Sequence, residues 1–270
     1  MNIDRQRVCD EFIKYTDNYD SSETKIKLKI DHTFRVAAIS DEIARSLKLS
    51  DEDVNLAWFI GMMHDMGRFE QVRRYNTFSD AQSIDHAHFG ADLVFGDNLI
   101  EKYILDSRSG AIASGSITEE ELELIELAVR NHSAYRIQEG LDRRQQLFCN
   151  IIRDADKIDI LRVNTELPMA EIYNVTEEEL KNSEIADEVL NAFYEEHAVL
   201  RALKKYPIDH LVGHISLVYE LQFPVSLEIV ARQGYIYRMI DFQSDNPISR
   251  KKFEGIAVHM RQFLINKMSS

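Results

Sequence analysis

Residues 61–69 read GMMHDMGRF, and they close a stretch in which Trp58, Phe59, Ile60, Met62 and Met63 crowd together without a charge. A histidine and an aspartate side by side, where a helix should be most deeply packed, need an explanation. An unpaired buried carboxylate is costly, so chains avoid it or neutralise it. Upstream, Ser50 followed by Asp53 resembles a capping box, and Gly67 is placed to close the helix in the left-handed conformation. Val54, Trp58 and Gly61 form one stripe, and His64 and Asp65 are the next positions on that face, so both polar residues point inward. In the last turn of this helix a carboxylate also meets the negative end of the dipole, which calls for a nearby cation. A metal ion would supply it; a buried ion pair between the neighbours, or with an arginine, is the plainer alternative.

The same anomaly recurs outward from this point. His32 begins a stripe with Val36, Ile39, Ile43 and Leu47. Thr118 and Glu121 make a capping box, after which Leu122, Ile125 and Val129 lead to His132. In LFCNIIRDADKIDILRV, Cys149, Ile152, Ile160 and Val163 flank Asp156, and Asp154 falls on another apolar stripe. A lone histidine on an apolar face is usually a hydrogen-bonded core residue. Four helices that each turn His or Asp inward are harder to explain by independent accidents, and imidazole with carboxylate suits Mn, Fe, Zn, Ni or, with enough oxygens, Mg.

The rest of the sequence sets the frame. Gly (10) and Pro (4) are sparse in 270 residues, and apolar residues recur at three- and four-residue spacing, which predicts an all-α protein of long helices and short loops. IKLKI (26–30) alternates like a strand but has no partner, and it is discounted. Breaks fall near 19–24, 47–53, 74–83, 106–120 and 242–249, none with the character of an interdomain linker, so a single helical domain is the simplest partition. With Lys+Arg 32 against Asp+Glu 46, the net charge of -14 disfavours nucleic-acid polymers and anionic membranes. Two cysteines, Cys9 and Cys149, with no secretory leader and no spanning run, fit a cytoplasmic protein. A homo-oligomer is compatible with all of this.

The ordered set His32, then His64 with Asp65, then Asp156 in RDADKID resembles the HD-domain superfamily of metal-dependent phosphohydrolases. His86 in DHAHFGAD and His132 in RNHSAY stand where some members add two histidines, with His88 as a rival to His86. The resemblance covers about residues 25–165 and implies a compact multi-helix bundle with additional C-terminal helices over 166–270. It implies one or two divalent ions held by His32, His64, Asp65, His86, His132 and Asp156, and a small phosphorylated substrate, with a nucleotide favoured. Arg68, three residues past Asp65, is the candidate phosphate clamp and, with Asp65, the candidate catalytic pair; its plainer role is to cap the helix. Arg73 and Lys157 are further substrate-binding candidates, and Lys29 one turn before His32 is of the same kind. The Gly-Tyr-Pro motif of cyclic-dinucleotide phosphodiesterases is missing, and MGRFE replaces the Glu-Asp pair of guanosine tetraphosphate hydrolases. Two competing readings are a diiron oxygenase built on the same six ligands and a ligand-binding module without turnover. Specificity is expected from loops 68–85 and 106–118.

Overall fold

The computed structural model describes residues 1–96, 99–104 and 117–269, the side chains of 170 and 171 excepted. The loop expected over 106–118 lies outside the described residues but for its last two positions. Every regular element among the described residues is helical, as the spacing predicts, and IKLKI is part of a helix. None of these helices is long and apolar enough to cross a membrane. The chain divides into two compact units, Met1–Ala155 and Asp156–Ser270.

The first unit holds α1 (Arg5–Thr16), α2 (Thr24–Ser46), α3 (Asp51–Met63), α4 (Met66–Tyr75), α5 (His86–Ala91), α6 (Ile100–Ile104), α7 (Glu119–Asn131) and the start of α8 (Arg143–Glu166). α2 and α3 pack along each other. Their contact is close because Gly61 has no side chain: a Cβ there would lie 2.6 Å from the Ala37 Cα. His32, Val36, Ile39 and Ile43 are all buried on α2, so the stripe read from the sequence is a core face. α3 is buried from Leu56 to Met63 and starts at Ser50, whose hydroxyl accepts from the Asp53 N–H at 3.2 Å. The Thr118–Glu121 capping box at the start of α7 is formed reciprocally.

Gly67 does not close this helix. α3 ends at Met63, His64 stays right-handed, Asp65 breaks the run at φ -109 and ψ 18, and α4 begins at Met66 with Gly67 inside it. Gly67 is needed for contact instead: a Cβ there would overlap the His86 carbonyl and lie 2.8 Å from the Gly90 N. That close approach brings the start of α5 against the start of α4. The break also changes the electrostatics expected for the pair. His64 caps the C-terminal end of α3, while Asp65 occupies the N-cap of α4, the end at which a carboxylate is favoured.

The second unit contains the remainder of α8 with α9 (Met169–Tyr173), α10 (Glu177–Asn182), α11 (Asp187–Tyr194), α12 (Pro207–Ile215), α13 (Pro224–Gln233), α14 (Tyr235–Ile240) and α15 (Pro247–Met268). α12 packs against α10, α11 and α14, and its Leu211, Val212 and Ile215 are fully buried. Thr176 and Glu179 cap α10 reciprocally, and Pro at the first position opens α12, α13 and α15.

Candidate metal centre

Four histidines from four helices of the first unit converge on one buried carboxylate. His32 comes from α2, His64 from the end of α3, His86 from the first position of α5 and His132 from the end of α7; each is nearly inaccessible, as is Asp65. Asp65 Oδ2 lies 3.5 Å from the Nε2 of both His32 and His64. Its Oδ1 lies 3.5 Å from His86 Nε2 and 3.6 Å from His132 Nε2. One carboxylate thus faces two pairs of imidazoles, one with each oxygen. His64, Asp65 and His132 each offer a ligand atom within 4.8 Å of the others.

The Nδ1 edges fix the tautomers. His64 Nδ1 is 2.7 Å from the Gly61 carbonyl, and His132 Nδ1 is 2.7 Å from the Val129 carbonyl. A carbonyl only accepts, so both Nδ1 atoms carry the proton. His86 Nδ1 likewise donates to Asp80 Oδ2 at 2.7 Å. In their neutral forms His86 and His132 therefore point Nε2 lone pairs at each other across 3.0 Å, which is repulsive unless a cation lies between or beside them. Burial, then the neighbouring Arg68 guanidinium, push His86 down to about 4, so at neutral pH that cation is not a proton on His86.

A divalent metal ion fits this donor set. Nitrogens 3.0 and 3.3 Å apart, as in the His86–His132 and His32–His64 pairs, subtend angles of about 90° to 105° at an ion whose bonds to nitrogen are about 2.1 Å long. The Nδ1 hydrogen bonds to carbonyl and carboxylate are the outer contacts that hold ligating imidazoles in place.

Lys29 donates to Asp65 Oδ2 at 2.7 Å. Burial raises the Asp65 carboxyl, but Lys29, His64 and His132 outweigh it and hold the group well below the usual carboxylate range. Arg68 sits beside this pair. Its Nη1 donates to Gln71 Oε1 at 2.6 Å, the Phe78 carbonyl at 2.8 Å and Asp80 Oδ1 at 2.9 Å. Its Nε is buried with no hydrogen-bond partner, 3.6 Å from Asp65 Oδ1. Asp80 is held well below its ordinary value: burial works against this, and the His86 hydrogen bond and Arg68 prevail.

Arg73, Arg74 and His88 are engaged outside this centre. Arg73 and Arg74 both grip the buried Glu70, at 2.6 and 2.5 Å, and Arg73 also lies over the Tyr19 ring. His88 is 59 % exposed and pairs with Asp85, whose carboxylate caps α5, while His86, two residues earlier on the opposite face of the helix, is buried. Asp156 and Lys157 are the first residues of the second unit, on the continuous helix α8. Three residues not singled out in the sequence support the centre. Asp80 and Gln71 hold His86 and Arg68, and Arg153 donates to the carbonyls of Asn131, His132 and Ala134, satisfying the end of α7 and fixing where His132 stands.

A family model described as the HD domain matches residues 30–161. This region is an HD domain. No curated protein and no solved structure matches the chain. HD domains define a superfamily made up mostly of metal-dependent phosphohydrolases, and the matched region contains the adjacent His64 and Asp65 at the break between α3 and α4.

Proposed function

We propose that the HD domain is a phosphohydrolase that holds one or two divalent ions on His32, His64, Asp65, His86, His132 and Asp156 and cleaves a phosphoester of a small soluble substrate, with nucleotides as the substrate class. The observation that carries this reading is the pair of imidazole lone pairs aimed at each other beside the Asp65 carboxylate, a donor set that needs a cation. Asp156 enters from its place in the RDADKID motif. A bound ion would supply Lewis acidity and a water acidic enough to be a nucleophile near neutral pH.

The side chains have separable tasks. Asp65, with its carboxyl pushed far down, is a weak proton acceptor, and its task is to span the two histidine pairs. Asp80 keeps His86 in the tautomer that presents Nε2 inward. Arg68 Nε is a buried donor without an acceptor, and a phosphoryl oxygen beside Asp65 would satisfy it. Lys29 adds a second positive charge on the same carboxylate. Arg68 is preferred over Arg73 as the phosphate contact because Arg73 is held by Glu70.

The test is a phosphate-release screen over nucleotides and sugar phosphates with Mn or another divalent ion, on wild type and Arg68→Lys. The expected result is metal-dependent release, with kcat/KM reduced about a hundredfold by Arg68→Lys because ammonium lacks the directed Nε–H. Oxygen uptake coupled to iron oxidation, with no phosphate released from any substrate, would replace this reading by an oxygenase.

A further inference from the structure

In the second unit Lys204, His210 and His214 cluster together, and among the described residues none of them makes an ion pair or hydrogen bond with a carboxylate. Lys204 follows a short turn of 3-10 helix, Arg201–Leu203, and its side chain lies against α12 at Gly213: a Cβ at that glycine would lie 2.5 Å from both Lys204 Cε and Nζ. Gly213 is thus what lets the amine settle on the helix, between His210 one turn earlier and the adjacent His214. Among the described residues Lys204 Nζ has neither a hydrogen-bond acceptor nor a carboxylate, and the ring nitrogens of His210 likewise make no hydrogen bond.

The one acid nearby is already engaged. Asp209 accepts from the Ala186 N–H at 2.9 Å with Oδ1, and from the Lys205 and Tyr206 N–H groups, both at 2.8 Å, with Oδ2. Its oxygens close the start of α12, and although its charge still favours the protonated forms of Lys204 and His210, burial and the repulsion from Arg201 and Lys204 outweigh it. Burial foremost, with Arg201 adding to it, pushes Lys204 down to about 8, and both histidines are also pushed below their ordinary value by burial and by Lys204.

The rings are held in place. Tyr173 stacks on His210 with centroids 5.5 Å apart and an interplanar angle of 26°. Asn164 Oδ1 receives the Tyr173 hydroxyl at 2.6 Å and His214 Nδ1 at 2.9 Å, while Asn164 Nδ2 donates to the Ile160 carbonyl at 2.8 Å, which fixes the amide's orientation. His214 must then carry a proton on Nδ1, leaving Nε2 as its remaining edge. A rigid arrangement of an ammonium and two imidazoles, half-buried on a protein of net charge -14, is costly unless something of opposite charge binds.

We propose that Lys204, His210 and His214, framed by Tyr173 and Asn164, form a binding site for a small oxyanion, the phosphate or carboxylate group of a metabolite. Lys204 supplies the charge and a ring N–H of His210 the directional contact, while His214, whose Nε2 keeps a lone pair, borders the site and accepts only from a protonated oxygen of the ligand; the Tyr173–Asn164 pair keeps both rings from turning away. The site belongs to the second unit alone and does not depend on the function proposed for the HD domain.

The test follows the imidazole NMR signals of the full chain, kept metal-free with chelator, as inorganic phosphate, sulfate or acetate is added; His210→Gln and His214→Gln assign the signals. The expected result is a saturable shift of both histidines with at least one of these anions. Lys204→Gln should weaken the apparent affinity about tenfold or more, Lys204→Arg should keep it within a few-fold, and His132→Ala should leave it unchanged. Phosphate or sulfate as the better ligand marks a phosphorylated metabolite, and acetate marks a carboxylate. The proposal is overturned if no anion gives a saturable shift in the millimolar range in wild type, or if a folded Lys204→Gln responds as wild type does. Should Lys204→Gln fail to fold, the wild-type titration and the Lys204→Arg variant decide.

Discussion

His86 Nε2 stands 3.0 Å from His132 Nε2, and each ring keeps its proton on Nδ1 and donates it in a hydrogen bond, to Asp80 in one case and to the Val129 carbonyl in the other. Two acceptors at hydrogen-bonding distance with no hydrogen between them are stable only around a cation. The outer carboxylate therefore controls the inner pair. Asp80→Asn keeps the shape but can offer its amide N–H to His86, which favours the wrong tautomer. The expected result is a 10- to 100-fold loss of metal affinity, roughly the usual cost of removing an outer contact, with helix content unchanged by circular dichroism. Unaltered affinity in a metal titration of Asp80→Asn would remove Asp80 from the centre.

Lys29 and Asp65 form a nearly buried pair, 2.7 Å apart with side-chain exposures of 14 % and 3 %. Breaking such a pair on one side leaves the other charge stranded. In metal-free protein Lys29→Met is expected to cost about 3 kcal/mol of stability in urea unfolding. Added divalent ion should recover most of that loss, because it supplies the missing positive charge. Equal losses with and without the ion would mean that Asp65 does not face a metal.

The basic cluster of the second unit predicts an unusual pH response. The Lys204 amine lies at about 8 in the folded chain against 10.5 for an ordinary lysine. Between these values the unfolded chain binds more protons, so stability rises with pH through this window; below 8 both states are protonated and the full penalty remains. Lys204→Met lacks this contribution. The stability advantage of Lys204→Met over wild type attributable to this charge should shrink by about 3 kcal/mol between pH 8 and 10.5. A pH-independent difference between the two unfolding curves would show that the amine is not desolvated.

The inward-facing histidines were legible because helical periodicity alone puts His32 and His132 in register with buried Val36, Ile39, Ile125 and Val129. The all-helical fold followed from the same spacing. Gly67 was misread because a glycine after an apolar run usually ends a helix; whether it caps or makes room for another backbone depends on α5, which local sequence does not reveal. Lys29, Asp80 and Arg153 have the residue types of an ordinary solvated surface. Their roles arise from contacts 36, 6 and about 20 residues away in sequence, at Asp65, His86 and the end of α7. Lys204 escaped for a related reason: it lies in a connecting segment without periodicity, and its position depends on the absence of a side chain at Gly213.

Metal content is the most direct measure of the central claim. Protein purified without added ions, analysed by inductively coupled plasma mass spectrometry beside Asp65→Ala and an exposed-site control, His88→Ala, is predicted to carry one or two divalent ions per chain. Asp65→Ala should lose them along with phosphate release, while His88→Ala should keep both. An Asp65→Ala protein with undiminished metal and undiminished phosphate release would contradict the account.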